Sequence, residues 1–166
     1  MSTNPPLFEQ AATGQLPYLP ADGQGKIILC DCNGTLFDSR FHQGFNRPLF
    51  DFLIAAEKRG YTVRLHSGAA QSNMDTSVPM ASLRNKDFKA WIARHEAENE
   101  LGAIIDKGEI PSKDAFLTID DEHGGGFISN APNQWSPTDA RIANTMAAWG
   151  ETGGTQPSGT APVNRP

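Results

Sequence analysis

A chain of 166 residues is long enough for one domain with a buried core, although its apolar content of 38% is low. The net charge of −5 and the absence of a Lys/Arg cluster argue against nucleic acid as a partner. No apolar stretch approaches the ~20 residues of a membrane span, and the first residues, MSTNPPLFEQ, lack the basic and apolar regions of a secretory signal. We therefore expect a cytoplasmic protein that does not bind membranes.

The composition changes near both ends of the chain. Residues 1–25 are rich in Pro, Gly, Gln and Ala without a helical or strand period, and residues 151–166 are rich in Gly, Thr and Pro. We predict an N-terminal extension over 1–25 that is flexible in part and otherwise loosely docked. A single folded domain is expected over 26–150, followed by a disordered C-terminal tail over 151–166.

Four short segments are predicted to be β-strands. Each is apolar in a continuous rather than an alternating fashion, which is typical of strands buried on both faces of a parallel sheet. The only cysteines, Cys30 and Cys32, lie on the first strand and are expected to be small core residues rather than a disulfide or a zinc site. The segments are KIILCDC (26–32), YTVRLHS (61–67), AIID (103–106) and AFLTIDD (115–121).

Helical patterns lie between and after these strands. The first covers 47–59, with Asn46 as its N-cap and Gly60 at its end. The second covers 80–100, and the third begins with Ser136 as its N-cap and ends at Gly150. The candidate core contacts of the second helix are Leu83, Phe88, Trp91, Ile92 and Leu101.

The stretch from 123 to 135, which contains three consecutive glycines, is predicted to be a loop. Strands alternating with helices predict an α/β fold with a mostly parallel sheet.

Polar residues close each of the four predicted strands. They are Asp31, Ser67, Asp106 with Lys107, and Asp120 with Asp121. Because ligands of open parallel sheets bind beyond the carboxyl ends of the strands, we expect these side chains to share one site. Carboxylates pressed together favour a cation among them, and oxygen ligands of this kind suit Mg²⁺.

The order of these motifs resembles the haloacid dehalogenase-like (HAD) superfamily. The motifs are DCNGT (31–35), an apolar run ending in HSG (66–68), a lysine, and LTIDDE (117–122), so the resemblance covers Lys26 to about Glu122. It implies a Rossmann-like three-layer sandwich and a Mg²⁺-dependent phosphatase or phosphohydrolase. The chain has no insertion large enough for a cap domain, because only a turn, a short flap (Phe37 to Phe45) and one helix fit between Asp31 and Ser67.

The resemblance also implies a role for each motif residue. Asp31 would be the nucleophile that forms an aspartyl-phosphate, and Lys107 would offset the repulsion between the two anions. Lys113 is the competing lysine, but it precedes a strand and would have to reach the site from a loop. The phosphate-binding residues would be Asp31, Gly34, Ser67, Gly68 and Lys107, with Gly34 and Thr35 forming a turn. The Mg²⁺ ligands would be Asp31, the backbone carbonyl of Asn33, Asp121, and Asp120 directly or through water.

Asn33 departs from the family pattern, which usually has a second Asp two residues after the nucleophile. An amide can donate and accept hydrogen bonds but cannot shuttle a proton, so a general acid or base worth about 10²–10⁴ in rate is missing. A substrate with an acidic leaving group, such as an acyl phosphate or an anhydride, would need no such acid. Another group could instead replace it: His66, His123 or Asp38. The alternative function is an attenuated HAD-fold protein that binds a phosphate ligand or a partner.

The sequence leaves the substrate open as a small molecule or a macromolecule, and it does not give the oligomeric state. An uncapped site suits bulky substrates, and the flap aromatics Phe37, Phe41 and Phe45 could contact substrate or simply pack. A phospho-accepting receiver-like domain also uses Asp, Ser/Thr, Lys and an acid pair. In that class the acid pair lies on the first strand, whereas here it comes last.

Overall fold

The computed structural model describes residues 16–122 and 132–151. Its centre is a five-stranded sheet, in the order β3-β2-β1-β4-β5, in which every pair of neighbours is parallel. Helices flank this sheet, which is consistent with a Rossmann-like sandwich. The strands are β1 (Ile27–Asp31), β2 (Thr62–Ser67), β3 (Ile104–Asp106), β4 (Leu117–Ile119) and β5 (Gln134–Trp135).

The four predicted strands are therefore present, somewhat shorter than the apolar runs that predicted them. The fifth, β5, lies within the stretch that was predicted to be a loop, so that prediction is wrong for Gln134 and Trp135. The pair is a strand because it pairs with Thr118 and Ile119 of β4. Residues 123–131 of the same predicted loop lie outside the described residues.

The helices are α1 (Arg47–Lys58), α2 (Ala70–Ser72), α3 (Val78–Arg84), α4 (Lys86–Glu98) and α5 (Ala140–Ala148). A π-helical turn, Asn73–Ser77, joins α2 to α3. In addition, His42–Gly44 and Ser112–Asp114 are 3₁₀ turns.

Helix α1 confirms its prediction. Asn46 caps it by accepting a hydrogen bond from the backbone N–H of Leu49, and Gly60 follows it with a φ of +98°. A positive φ of this kind is costly for residues with a Cβ, so glycine suits this position.

The second predicted helix is interrupted. At Asn85 the backbone is extended, with φ −132° and ψ 91°, so α3 and α4 are separate helices, and helical backbone already begins at residue 70. Phe88, Trp91 and Ile92 are buried as predicted. The prediction of core positions for Leu83 and Leu101 is wrong: they are 80% and 59% exposed. The reason is that the break changes the helical phase before α4, and α4 ends before residue 101.

The N-cap of α5 also differs from its prediction. Asp139, not Ser136, accepts a hydrogen bond from the N–H of Arg141, and the helix begins at Ala140. The end at Gly150, with φ +75°, is as predicted.

The core is continuous around the sheet and includes Cys30 and Cys32, both fully buried and both free thiols. Part of the N-terminal extension belongs to it as well. Leu19 is fully buried, its N–H donates to Thr145 Oγ1, and its carbonyl accepts from the Trp149 indole. Among the described residues, no helix has both the length and the apolar character needed to cross a bilayer.

Candidate functional site

The candidate site lies at the carboxyl edge of the parallel sheet. Asp31 is the last residue of β1, Ser67 is the last of β2, and Asp120 follows β4 directly. Lys107 follows β3, and its N–H donates to the Ser67 carbonyl at 3.1 Å. Because all of these strands run in one direction, their ends meet at one edge of the sheet.

Three carboxylates meet at this edge. Oxygen atoms of Asp31, Asp120 and Asp121 lie within 4.8 Å of one another. Asp31 and Asp120 are 5% and 1% exposed, whereas Asp121 is exposed. The ammonium of Lys107 lies 2.8 Å from Asp120 Oδ2 and 3.4 Å from Asp31 Oδ1. Sequence-predicted residues from β1, β3 and β4 are thus brought into contact.

Burial and mutual repulsion perturb the ionisation of this cluster. Burial, followed by the charge of Asp120, raises the pKa of Asp31 to about 7 against the opposing effect of Lys107. Burial also raises the pKa of Asp120. For Lys107, burial disfavours the charged form, but the hydrogen bond to Asp120 and the charge of Asp31 outweigh it and raise its pKa. The carboxylates therefore repel one another, and a bound cation would reduce this repulsion.

The donor set fits a hard divalent ion. When all three carboxylates are ionised, their three negative charges exceed the one positive charge of Lys107 by two. Both oxygens of Asp120 are already engaged, one by Lys107 and the other by the N–H of Glu122. Asp31 is likewise engaged, by the Thr35 hydroxyl at Oδ2 and by the Lys107 ammonium 3.4 Å from Oδ1. The exposed Asp121 is therefore the most accessible direct ligand. Mg²⁺ accepts carboxylate oxygens together with water.

The turn after β1 holds Asp31 and admits Asp121. The Thr35 hydroxyl donates to Asp31 Oδ2 at 2.9 Å, and the Cys32 carbonyl accepts from the N–H groups of Thr35, Leu36 and Phe37. Gly34 has a φ of +85°, and a Cβ placed there would lie 2.2 Å from Asp121 Oδ2. A side chain at this position would displace the carboxylate, so the glycine brings the first and last motifs together.

Ser67 stands at the same edge with its hydroxyl held in place. Its Oγ accepts hydrogen bonds from the N–H of Ala69 at 3.0 Å and from Asn73 Nδ2 at 2.7 Å. Since both neighbours donate, the hydroxyl proton of Ser67 is available to donate to a ligand oxygen. Gly68, the next residue, is exposed.

The side chain of Asn33 contacts the segment that follows Ser67. Asn33 is exposed, and its Oδ1 accepts a hydrogen bond from the Ser77 hydroxyl at 3.2 Å. Ser77 is the last residue of the π-helical turn, a feature that is frequent at functional sites. The two residues join the turn after β1 to the segment after Ser67.

The remaining candidates lie elsewhere or are packed. Lys113, the competing lysine, has a side chain that is 68% exposed and pairs with Asp114. His66 is 1% exposed, and burial together with the charge on Lys107 lowers its pKa to about 4. Asp38 pairs with Arg40 in the flap. His123 lies outside the described residues.

Two of the three flap aromatics belong to the core. Phe37 and Phe45 are buried, and their ring centroids lie 5.8 Å and 4.9 Å from that of Phe88. Phe41 alone remains half-buried.

Three polar residues that contact the site residues were missed at the sequence level: Asn73, Ser77 and Arg40. Asn73 is 1% exposed, and the Arg40 guanidinium donates to the Gly34 carbonyl at 2.7 Å. None of the three lies at a strand end, so no pattern in the sequence marked them.

No protein-family model matches the chain, and neither a curated protein nor a solved structure shows significant similarity to it. The resemblance to the HAD superfamily therefore remains a prediction from the sequence motifs.

Proposed function

We propose that this protein is a Mg²⁺-dependent phosphatase or phosphohydrolase of HAD-like type that acts through an aspartyl-phosphate on Asp31. One observation carries the proposal: a single lysine amine lies against both Asp31 and Asp120, with Asp121 within reach of the same oxygens. A nucleophilic carboxylate, a cation beside it and a second acid pair are the groups that phosphoryl transfer to an aspartate requires.

Each residue then has a defined task. An Asp31 oxygen attacks phosphorus, the bond from phosphorus to the leaving-group oxygen breaks, and that oxygen keeps the electron pair. Water then cleaves the aspartyl-phosphate to release inorganic phosphate. Thr35 orients the carboxylate, while Lys107 and the Ser67 hydroxyl stabilise charge on the transferred group. Mg²⁺, held by Asp31, Asp121 and the Asn33 carbonyl, would supply further positive charge.

The chemistry of Asn33 restricts the leaving group. An amide cannot protonate a departing alkoxide, and its Oδ1 is already occupied by Ser77. We therefore expect acyl phosphates to be cleaved faster than alkyl phosphates. The same observation favours a second candidate function, in which the protein binds a phosphate ligand without turning it over.

Hydrolysis of acetyl phosphate and of an alkyl phosphate such as glycerol phosphate, each with Mg²⁺, tests the proposal. The wild type should hydrolyse acetyl phosphate faster, Asp31→Asn should abolish activity, and the exposed control Asp114→Asn should not alter it. Equal turnover of both substrates would contradict the assigned role of Asn33. Mg²⁺-dependent binding of inorganic phosphate without any turnover would favour the second candidate.

The variant Asn33→Asp tests the missing acid directly. Restoring a proton donor should raise kcat on the alkyl phosphate, by up to about 10²–10⁴-fold. A kcat that stays unchanged in this variant would mean that another group supplies the proton or that the protein is a binder.

A further inference from the structure

A groove next to the candidate site has no role in the mechanism described so far. It lies between the flap, the start of α1 and the start of α5, and its volume is about 490 Å³. Small-molecule sites typically measure about 300–1,000 Å³ and are mostly apolar. The apolar residues that line it include Phe41, Phe45, Leu49, Pro137, Ile142 and Ala143.

Two hydrogen-bonded residues connect the groove to the turn that carries Asp31. Arg40 lines the groove and donates to the Gly34 carbonyl at 2.7 Å. Asn46 also lines it, and its amide donates to the carbonyls of Thr35 and Pro137, at 3.0 and 3.1 Å. The groove therefore contacts the same turn that holds Asp31 in the candidate site.

The groove offers flat surfaces rather than only an apolar lining. The Arg40 guanidinium lies over the Phe41 ring, 5.1 Å from its centroid, and Phe41 is the flap aromatic that the core leaves half-buried. A planar guanidinium and an aromatic ring both stack favourably on another aromatic ring. This arrangement favours an aromatic occupant over an alkyl chain.

The leaving-group chemistry points to the same class of compound. A phenol ionises with a pKa of about 10, as in tyrosine. A phenolate therefore leaves without the proton donor that Asn33 cannot supply.

We propose that the groove binds the aromatic leaving group of the substrate and that the substrates are small aryl phosphates. This inference rests on the proposed phosphohydrolase function. In the reaction, the bond from phosphorus to the aryl oxygen breaks, the phosphoryl group passes to Asp31, and the phenolate takes up a proton from water.

The test compares a variant that fills the groove with a matched variant elsewhere on the same helix. Ala143 is exposed and lines the groove, whereas Ala148 is also exposed, ends the same helix and does not line the groove. With 1-naphthyl phosphate and Mg²⁺, Ala143→Trp should lower kcat/KM about tenfold or more, mainly through KM. Acetyl phosphate does not reach the groove, so its turnover should change less than about twofold. Ala148→Trp should alter neither value.

Phe41→Ala provides a second variant, since it removes the ring beneath Arg40 and should also raise KM for 1-naphthyl phosphate only. Equal losses on both substrates, or no loss on 1-naphthyl phosphate in either variant, would overturn the inference.

Binding of 1-naphthol, followed by its fluorescence, separates this inference from the proposed function. If the wild type hydrolyses no phosphate compound but binds 1-naphthol, and Ala143→Trp does not bind it, the groove assignment stands while the phosphohydrolase proposal fails. If acetyl phosphate is hydrolysed but 1-naphthol does not bind, the groove assignment fails alone.

Discussion

Replacing Lys107 by methionine removes the ammonium between Asp31 and Asp120 while keeping a side chain of similar length. The amine lies 2.8 Å and 3.4 Å from the two carboxylates. At an effective dielectric constant of about 20, these distances correspond to attractions of about 6 and about 5 kcal/mol. Desolvation of the ions offsets much of this, and removing one partner of a buried ion pair costs about 3–5 kcal/mol.

We therefore expect Lys107→Met to lower the free energy of unfolding by about 3–5 kcal/mol near pH 8 without divalent ions. The loss should shrink towards acid pH. The pKa of Asp31 is about 7 in the wild type, removal of the Lys107 charge raises it further, and protonation removes one of the negative charges left without a partner. Urea unfolding at several pH values measures this loss.

Mg²⁺ should stabilise the variant more than the wild type, because the three carboxylates then lack their internal cation. If Lys107→Met binds Mg²⁺ tenfold more tightly than the wild type, Mg²⁺ should raise its free energy of unfolding by about 1.4 kcal/mol more. This holds at a Mg²⁺ concentration above the dissociation constants of both proteins. Acetyl phosphate hydrolysis should nevertheless be lost, because the variant lacks the ammonium that stabilises charge on the transferred phosphoryl group.

The matched control is Lys113→Met, which removes a lysine that is 68% exposed and should change stability by less than about 0.5 kcal/mol. If Lys107→Met costs no more than this control near pH 8, and Mg²⁺ stabilises both variants equally, the reasoning about the carboxylate cluster is refuted.

Three further substitutions probe separate contacts. Gly34→Ala places a Cβ at a φ of +85° and 2.2 Å from Asp121 Oδ2; it should cost about 1–2 kcal/mol of stability and weaken Mg²⁺ binding about tenfold, as measured by calorimetry. Asn73→Leu removes the 2.7 Å hydrogen bond to Ser67 Oγ; it should lower kcat/KM about tenfold while changing stability by less than about 1 kcal/mol. His66 has a pKa of about 4 when folded and 6.5 ordinarily, so it stabilises the fold above its unfolded pKa and loses this contribution as pH falls. His66→Leu should therefore lose about 2 kcal/mol less stability than the wild type between about pH 7 and pH 5.

Each of these expectations has its own contrary result. Unchanged Mg²⁺ affinity in Gly34→Ala would mean that Asp121 does not bind the ion. If Asn73→Leu lowers the free energy of unfolding by as much as it raises the activation free energy for kcat/KM, Asn73 has a structural role only. The raised pKa values of Asp31 and Asp120 increase the free energy of unfolding as pH falls, which opposes the effect of His66 over the same pH range. The informative quantity is therefore the difference between the two proteins, and parallel pH profiles would contradict the assigned pKa.

The arrangement of the sheet could be predicted because buried parallel strands leave a clear pattern. Apolar runs that end at Asp31, Ser67, Asp106 and Asp120 contain both the strands and their carboxyl ends, and the shared direction of the strands then brings the polar residues to one edge. The pattern could not reveal β5, because a two-residue strand exists only through its partner, β4.

Interruptions and long-range contacts were harder to foresee. The break at Asn85 lies within a sequence with a helical period, so only the packing of α4 on the core reveals that Leu83 and Phe88 belong to different helices. Asn73 and Ser77 contact the site because the π-helical turn directs them there. Composition predicted a flexible or loosely docked segment around Leu19. Leu19 is nevertheless buried, and it forms hydrogen bonds with Thr145 and Trp149, which lie far along the chain.

A crystal structure of the protein with Mg²⁺ and fluoroberyllate, a mimic of a phosphorylated aspartate, tests the central claim most directly. We expect beryllium bonded to a carboxylate oxygen of Asp31, the Lys107 amine against a fluoride, and Mg²⁺ bound by Asp31 and Asp121. Beryllium fluoride absent from Asp31 at full Mg²⁺ occupancy, or Mg²⁺ bound away from these carboxylates, would contradict the account.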